Sequence, residues 1–254
     1  MDTATPAAHI STRALTLGYG AQPVLRDVSF DIRHGEIFAI IGGSGCGKST
    51  LLRHLIGLRQ PLKGQILFNG EALPPPGGSA REALLRRLGV MYQGGALWTS
   101  LTLAENVALP LREHTALPAR EINELVRYKL ALVGLAGYED FRPAQISGGM
   151  VKRASLARAI ALDPEILFLD EPGAGLDPLT SRLLDELILQ IRATLRTTIV
   201  MVTHELASIF ATADTALFLD ATTRTTGALG PPQTLRQHSP NPRVRAFLNR
   251  DAPP

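Results

Sequence analysis

Apolar and polar positions follow two kinds of pattern along the chain. Alternation predicts strands with one buried face at residues 24–32 and 65–68. Continuous apolar runs predict three further strands, at residues 37–41, 166–169 and 199–202. The last two runs are typical of strands covered on both faces, as in a parallel sheet. Helical spacing, bordered by Gly, Pro or a capping residue, predicts helices at residues 51–58, 120–133, 150–162 and 179–195.

The order of these elements predicts an α/β fold, a mostly parallel sheet with flanking helices. Strand signals fade between about residues 94 and 162, which indicates a helical subdomain inserted into the core. After Gly230 the chain is richer in Pro and polar residues. We expect residues 231–254 to form a tail with one short helix at 244–249 and a frayed end at 251–254.

Composition limits the classes of function. The chain has 254 residues, 45% of them apolar, and a net charge of +3 with scattered basic groups, so we expect no nucleic-acid partner. Its longest apolar runs are too short to cross a bilayer, and its first residues lack a secretory signal, so we expect a cytoplasmic location. Cys46 is the only cysteine, and a packing role is expected for it.

A glycine-rich segment follows the predicted strand at 37–41 and fits the phosphate-binding template G-x-x-x-x-G-K-[ST]. Glycines let backbone N–H groups turn around a phosphate, Lys48 adds a positive charge, and Ser49 offers a hydroxyl to Mg²⁺. The alternative is a glycine-rich turn without a ligand. The segment predicts ATP or GTP binding by Gly42, Gly43, Ser44, Gly45, Cys46, Gly47, Lys48, Ser49 and Thr50.

Two acids end the predicted strand at 166–169. Asp170 suits magnesium, and Glu171 suits polarisation of the attacking water. His204 follows another strand and reaches the same sheet edge if the strands are parallel. The alternatives are a merely solvated acidic strand end and a structural histidine.

Residues 146–150, Ile-Ser-Gly-Gly-Met, resemble the LSGGQ signature of ATP-binding cassette (ABC) ATPases. The resemblance covers about residues 10–225 and implies an ABC-type core with an antiparallel β edge, over residues 8–230, with the helical subdomain at about 94–162. It implies that Gln93 is the Q-loop glutamine, Asp177 lies in the D-loop, His204 is the switch histidine and Tyr19 stacks on adenine. Gln93 as an ordinary loop amide and Tyr19 as a surface aromatic are the alternatives.

The resemblance also assigns roles in ATP hydrolysis. It implies catalytic roles for Lys48, Gln93, Glu171 and His204, and Mg²⁺ contacts from Ser49, Gln93 and Asp170. In this family two copies pair head to tail, so Ser147, Gly148 and Gly149 of one copy would cover the ATP bound by the other. The cofactors implied are therefore ATP and Mg²⁺, and the first partner is a second copy of the chain.

Met150 in the signature, the segments at residues 89–102 and 105–111, and the tail at 241–248 resemble the Mla-type ATPases. Those serve phospholipid transport with a membrane permease, an MCE-domain protein and a STAS-domain protein, so the resemblance implies these partners and a peripheral position on the cytoplasmic face of the inner membrane. Leu97, Trp98 and Leu101 are candidates for the permease contact, and Phe247 and Leu248 for a contact with the neighbouring ATPase. Packing of Trp98 inside the helical subdomain, and a mobile tail, are the alternatives.

Three other functions compete with this one on the same residues. An ATPase of another ABC importer or exporter fits if Met150 and the tail are coincidental. A soluble ABC ATPase of DNA repair or translation would usually carry a coiled-coil insertion or two cassettes, which 254 residues do not accommodate. A kinase or GTPase with the same phosphate loop is contradicted by the second signature at residues 146–150.

Overall fold

The computed structural model describes residues 8–251. The frayed end predicted for residues 251–254 falls outside this range except for Asp251. Within the described part of the chain, no helix is both long and apolar enough to cross a membrane.

Between residues 8 and 251, ten strands form two sheets. Their bounds are β1 Ala8–Tyr19, β2 Gln22–Arg33, β3 Ile37–Ile41, β4 Lys63–Phe68, β5 Glu71–Ala72, β6 Leu88–Met91, β7 Ile166–Asp170, β8 Thr198–Val202, β9 Thr215–Asp220 and β10 Thr225–Gly230. The smaller sheet has the antiparallel order β2-β1-β4-β5. The larger has the order β10-β9-β3-β8-β7-β6 and is parallel except at the β9/β10 pair. The predicted α/β fold, with a mostly parallel sheet and an antiparallel β edge, is confirmed.

The same described residues form nine α-helices, of which α8 and α9 follow the last strand. Their bounds are α1 Lys48–Leu55, α2 Ser79–Arg86, α3 Leu103–His114, α4 Ala119–Leu132, α5 Gly148–Ala159, α6 Pro178–Leu195, α7 Leu206–Thr212, α8 Pro232–His238 and α9 Pro242–Asn249. Helices α3, α4 and α5 lie between β6 and β7, with only a short 3₁₀ turn at Pro143–Gln145 added. The limits of a helical subdomain stay a prediction.

The central strands β3, β8 and β7 of the larger sheet are apolar because both faces of the sheet are covered there. Along β7, Ile166 and Phe168 pack into one core with the antiparallel sheet and α1, whereas Leu167 and Leu169 pack into a second core beneath α3 to α6. Successive side chains of a strand point to opposite faces, so an uninterrupted apolar run fills two cores at once. A third core lies under the C-terminal helices α8 and α9.

Several elements differ from the sequence prediction. Strand β1 lacks clean alternation because its pairing with β2 shifts register between Thr12 and Leu15, where Ala14 has a φ of 47°. Helices α1 and α5 begin three and two residues earlier than residues 51 and 150, because polar and glycine positions of the first turn carry no apolar signal. The tail holds two helices instead of one.

Candidate functional site

The carboxyl ends of four adjacent parallel strands carry the predicted site. In the order β3, β8, β7, β6, these ends lead into the glycine-rich loop, His204, the Asp170-Glu171 pair and Gln93. The strand register places the ends of β8, β7 and β6 at nearly the same height on the sheet, because Val202 pairs with Asp170 and Met91 pairs with Leu169. Ligands of open α/β sheets collect at this edge, so the topology joins residues that lie far apart in sequence.

The glycine-rich loop needs its glycines for two different reasons. Gly42 has a φ of 141°, and a Cβ there would lie 2.6 Å from the Leu219 carbonyl oxygen. Gly47 has a φ of 104°, and its Cβ would lie 2.8 Å from Leu25 Cγ. A Cβ on Gly43 would meet no heavy atom within 4 Å, so that side of the loop is open to a ligand. Gly42 and Gly47 therefore pack against core residues, whereas Gly43 lies on the side of the loop that is open to a ligand.

Lys48 lies over this open side. Its Nζ donates to the carbonyl oxygens of Gly42 and Gly43, at 2.9 Å each. The ammonium group therefore sits beside the backbone that would surround a phosphate. Among the hydroxyls of the segment, Ser44 lines the same cavity, Ser49 is exposed in the first turn of α1 and Thr50 is buried. These positions match a phosphate cradle at a helix N-terminus.

The loop opens into a cavity of about 490 Å³. Its other walls come from the ends of β7 and β8 and from the C-terminal helix, and its lining residues are Gly42, Gly43, Ser44, Lys48, Glu171, His204, Leu206, Phe247 and Arg250. The structure thus brings three of the four predicted catalytic residues to one space. Phe247 and Arg250 were missed, because nothing in the sequence indicates that the tail returns to the phosphate loop.

Glu171 and His204 form a pair at the edge of this cavity. The His204 Nδ1 lies 2.9 Å from Oε1 and 2.8 Å from Oε2 of Glu171. Glu171 has a φ of 48°, an uncommon backbone conformation for a residue with a side chain. Residues held in such conformations cluster at functional sites. The pair can orient and polarise a water molecule beside the phosphate loop.

Asp170 offers an oxygen to a cation. Its Oδ1 is buried and has no hydrogen-bond partner within residues 8–251. Burial raises the pKa of this carboxyl, and the neighbouring charge of Glu171 adds to the rise. A buried carboxylate oxygen without a donor is costly unless a cation or bound water approaches it. The position next to the phosphate loop therefore fits a magnesium ion or one of its waters.

Gln93 follows β6 and is exposed. Its backbone carbonyl accepts a hydrogen bond from Lys152 Nζ, and the same ammonium group lies 3.4 Å from the carbonyl oxygen of Glu171. Lys152 is not recognisable as a site residue from the sequence, because a lysine inside a helix carries no signal of a contact with two distant loops.

Tyr19 borders a second cavity, of about 480 Å³, together with Val24, Gly45 and Cys46. Its hydroxyl is 3.4 Å from Thr50 Oγ1, and Arg53 donates to it at 3.0 Å. The Arg59 guanidinium lies 4.5 Å from the ring centroid. Tyr19 therefore lies beside the phosphate loop with one ring face against a cation. Cys46 is buried there, and burial raises the pKa of its thiol, which suits packing and not redox chemistry.

The residues of the second signature lie elsewhere. Ser147 caps α5, where its Oγ accepts the N–H of Met150 at 3.3 Å, and it lines a different cavity of about 450 Å³ against α6. Asp177 caps α6 by accepting the N–H groups of Leu179 and Thr180, at 3.1 Å each. The structure does not bring Ser147, Gly148, Gly149 or Asp177 to the phosphate cavity of the same chain.

The two signature glycines differ in their surroundings. A Cβ on Gly149 would lie 2.6 Å from Thr180 Cγ2, whereas a Cβ on Gly148 would meet nothing within 4 Å. Gly149 is thus required for packing of α5 on α6. Gly148 alone presents open backbone at the helix N-terminus, where an anion binds favourably.

Trp98 is 63% exposed. Its backbone is fixed by Asn106, which accepts the Trp98 N–H at 2.8 Å and donates to the Trp98 carbonyl at 3.1 Å. The neighbouring Leu97 and Leu101 are half-buried. The alternative that Trp98 packs inside the helical subdomain is therefore wrong.

The tail residues behave differently from the prediction. Leu248 is 1% exposed and belongs to the third core, so its predicted contact with a neighbouring copy is wrong. Its side chain is already covered by its own chain. Phe247 is half-buried, with its ring centroid 5.5 Å from that of Phe218.

Comparison with known proteins gives one family. The family described as "ABC transporter" matches residues 25–174. The intermembrane phospholipid transport system ATP-binding protein MlaF of Escherichia coli K12 is 40% identical over 240 residues, which cover 94% of this chain and 88% of MlaF. The probable ribonucleotide transport ATP-binding protein mkl of Mycobacterium leprae is 43% identical over 77% of this chain, which spans only 56% of that relative's length.

Two solved structures share the fold. CbiO1 of Clostridium perfringens, described as part of an ABC transporter complex, gives a TM-score of 0.83 at 25% identity, over 96% of this chain and 97% of that one. The ATP-binding cassette MJ0796, solved as a dimer in a post-hydrolysis state with ADP and phosphate, gives 0.78 at 26% identity, over 87% and 98%.

Proposed function

Because the chain belongs to the ABC transporter family, as a subunit that binds and hydrolyses ATP, we propose that it powers the movement of phospholipids between membranes. The observation that carries this proposal is the similarity to MlaF, which extends over 94% of the chain. The relative mkl is named for a different cargo, ribonucleotides, but this chain spans only about half of that protein. The similarity to mkl therefore carries less weight for the cargo than the similarity to MlaF.

We propose that ATP binds with its phosphates in the glycine-rich loop and its base beside Tyr19. Lys48 and the backbone of Gly43 face the phosphates, and the cavity beside Tyr19 shares Gly45 and Cys46 with the loop. The base would stack on the ring face opposite Arg59, or displace that side chain.

The proposed hydrolytic step uses the pair at the cavity edge. Glu171 accepts a proton from the attacking water. His204 contacts the Glu171 carboxylate and stabilises the negative charge that develops on the phosphate. Magnesium, held by Ser49, Gln93 and Asp170, would supply charge neutralisation at the phosphates. The partnerless Asp170 Oδ1 supports this assignment.

A second copy of the chain would complete each site. Ser147 and the open backbone of Gly148 lie away from the phosphate cavity of their own chain, yet they form a helix N-terminus suited to an anion. In a head-to-tail pair, each signature covers the ATP of the other copy, with Asp177 near the same junction. The dimeric state of MJ0796 supports such a pair.

The remaining partners would be membrane components. The exposed Trp98, with Leu97 and Leu101, gives an apolar surface directly after the Gln93 segment, and aromatic side chains are enriched at interface hot spots. We assign this surface to a cytoplasmic helix of an integral membrane permease, which would hold the chain on the cytoplasmic face of the inner membrane. An MCE-domain protein and a STAS-domain protein complete the proposed complex.

The test is to isolate the Glu171→Gln form from its native membranes in mild detergent with ATP and Mg²⁺, and to identify the proteins and lipids bound to it. Ser147→Arg serves as the matched control, because it should enter the complex without forming the ATP-bridged pair. An MCE-domain protein with its permease and bound phospholipid would support the proposal. Recovery of a permease that binds ribonucleotides or another cargo would be consistent with an ABC transporter ATPase but would contradict the lipid assignment.

A further inference from the structure

Lys152 contacts two parts of the site from within the signature helix. It lies five residues after Ser147 on α5 and is 8% exposed. Its Nζ donates to the Gln93 carbonyl and lies 3.4 Å from the Glu171 carbonyl oxygen. One ammonium group thus joins the signature helix, the Gln93 segment and the turn that carries the proposed general base.

The Glu171 turn needs such support because its backbone is strained. A residue with a side chain rarely adopts a φ of 48°, so this conformation persists only where contacts fix it. The Glu171 N–H donates to the Val202 carbonyl at 2.8 Å, and its carbonyl accepts from the Ala174 N–H at 3.2 Å. Lys152 adds a contact from helix α5 to the Glu171 carbonyl oxygen, at 3.4 Å.

The Gln93 segment is fixed to the same helix. Arg158 donates to the carbonyl oxygens of Ala96 and Gly95, at 2.7 and 3.0 Å. A Cβ on Gly95 would lie 2.4 Å from Ser155 Oγ, so the segment lies directly on α5. Helix α5 and residues 93–96 therefore form one packed unit, and Lys152 connects this unit to Glu171.

Charge favours this position of Lys152. Burial lowers the pKa of the ammonium group, while Glu171, Glu205 and Asp170 oppose that change by attraction. A buried lysine is retained only where such partners compensate for lost hydration.

We propose that Lys152 is a positioning residue for Glu171 of its own chain. Through its contact with the Glu171 carbonyl oxygen, Lys152 fixes the position of the proposed general base relative to the signature helix α5. This inference rests on the proposed role of Glu171 in activating water and on the proposed head-to-tail pair, in which α5 of each copy also carries the signature that covers the ATP of the other copy.

The first measurement separates positioning from stability. Lys152→Met should lower the rate of ATP hydrolysis by the full chain by about ten-fold to a hundred-fold, as expected for a misplaced catalytic group, with ATP affinity changed less than about two-fold. Lys152→Arg should restore most of the rate. Arg153→Met is the matched control, because Arg153 on the same helix donates instead to the Val133 and Gly134 carbonyls, at 3.1 and 3.0 Å.

The second measurement identifies which site fails. Lys48→Ala and Ser147→Arg subunits, mixed, should regain activity because one composite site keeps an intact loop and an intact signature. Lys152→Met mixed with Ser147→Arg should regain similar activity, because the working site uses the Glu171 and Lys152 of the Ser147→Arg chain. Lys152→Met mixed with Lys48→Ala should stay low, because the working site then contains the displaced Glu171.

These outcomes separate two failures. If Lys48→Ala and Ser147→Arg do not complement each other, the head-to-tail pair is wrong. If they do, but Lys152→Met fails with Ser147→Arg and recovers with Lys48→Ala, Lys152 acts on the signature of the other site and our inference is overturned. Equal rates for Lys152→Met and Arg153→Met would overturn it as well.

Discussion

At the scale of single residues, the site depends on short contacts between side chains from different strand ends. The Glu171 carboxylate is held at 2.9 Å by His204 Nδ1, and Lys48 Nζ is held at 2.9 Å by two carbonyls of the loop. Under the proposed function, each contact positions a group for one chemical task, either water activation or phosphate binding. Substitutions at these positions should therefore change the reaction without unfolding the chain.

Glu171→Gln keeps the shape of the side chain and removes its capacity to accept a proton. We expect ATP binding to persist while hydrolysis falls by about 10²-fold to 10⁴-fold, the usual contribution of general-base catalysis. Phosphate release and equilibrium ATP binding measure the two effects. Near-normal turnover would show that another group activates the water.

His9 predicts a pH dependence of stability. Burial, together with electrostatic repulsion from the neighbouring His34, lowers the pKa of His9 to about 4. The unfolded chain has a pKa near 6.5 at this position, so between pH 6.5 and 4 it binds more protons than the folded chain. The free energy of unfolding should therefore fall as pH falls through this window, by up to about 1.4 kcal/mol per pH unit, and be unaffected by His9 above it.

Urea denaturation at pH 7 and pH 5 tests this dependence. His9→Gln should lose less stability between the two pH values than the parent chain does. The exposed His238→Gln is the control and should follow the parent. An identical loss for all three chains would show that His9 does not titrate differently on folding.

At the scale of elements, the signature helix packs on α6 through a glycine. Gly149→Ala places a Cβ 2.6 Å from Thr180 Cγ2 and should destabilise the chain by about 1–3 kcal/mol through overpacking. Thr180→Ser removes that methyl group and keeps the hydroxyl bonded to Asp177, so the double variant should recover stability. Denaturant midpoints measure both changes. Gly148→Ala is the control and should unfold like the parent, since its Cβ meets nothing within 4 Å.

The C-terminal helix is part of the fold and not a loose appendage. Leu248 and Val244 fill the third core against β3 and β9, so Leu248→Ala should cost about 2–5 kcal/mol of stability. The exposed neighbour Asn249→Ala should cost far less. Thermal unfolding compares the two, and equal small losses would contradict packing of this helix.

At the scale of the whole molecule, the phosphate loop and the signature at residues 146–150 line separate cavities. Under the proposed function, each chain would therefore contribute one half to each of two ATP sites. A C₂ pair would complete both sites at once, because each copy presents the same two surfaces.

ATP should therefore control association. Glu171→Gln with ATP and Mg²⁺ should sediment as a pair, and addition of Ser147→Arg to the same chain should return it to a monomer, because the bulk occupies the place of the opposite phosphate. Analytical ultracentrifugation with and without ATP measures this. A Glu171→Gln/Ser147→Arg chain that still pairs only with ATP would require a different interface.

The sequence by itself determined the parallel core and much of the chemistry. Apolar runs that contain no polar position predict strands covered on both faces. The spacing of the glycines and the lysine predicts a phosphate loop, and the two acids after a buried strand predict a carboxylate site at the sheet edge, because those functions require those residue types locally. Only tertiary structure decided which distant groups meet. Lys152 at Gln93 and Glu171, Gly149 against Thr180, and Phe247 with Arg250 beside the phosphate cavity arise from packing between elements far apart in sequence, where no local pattern records the contact.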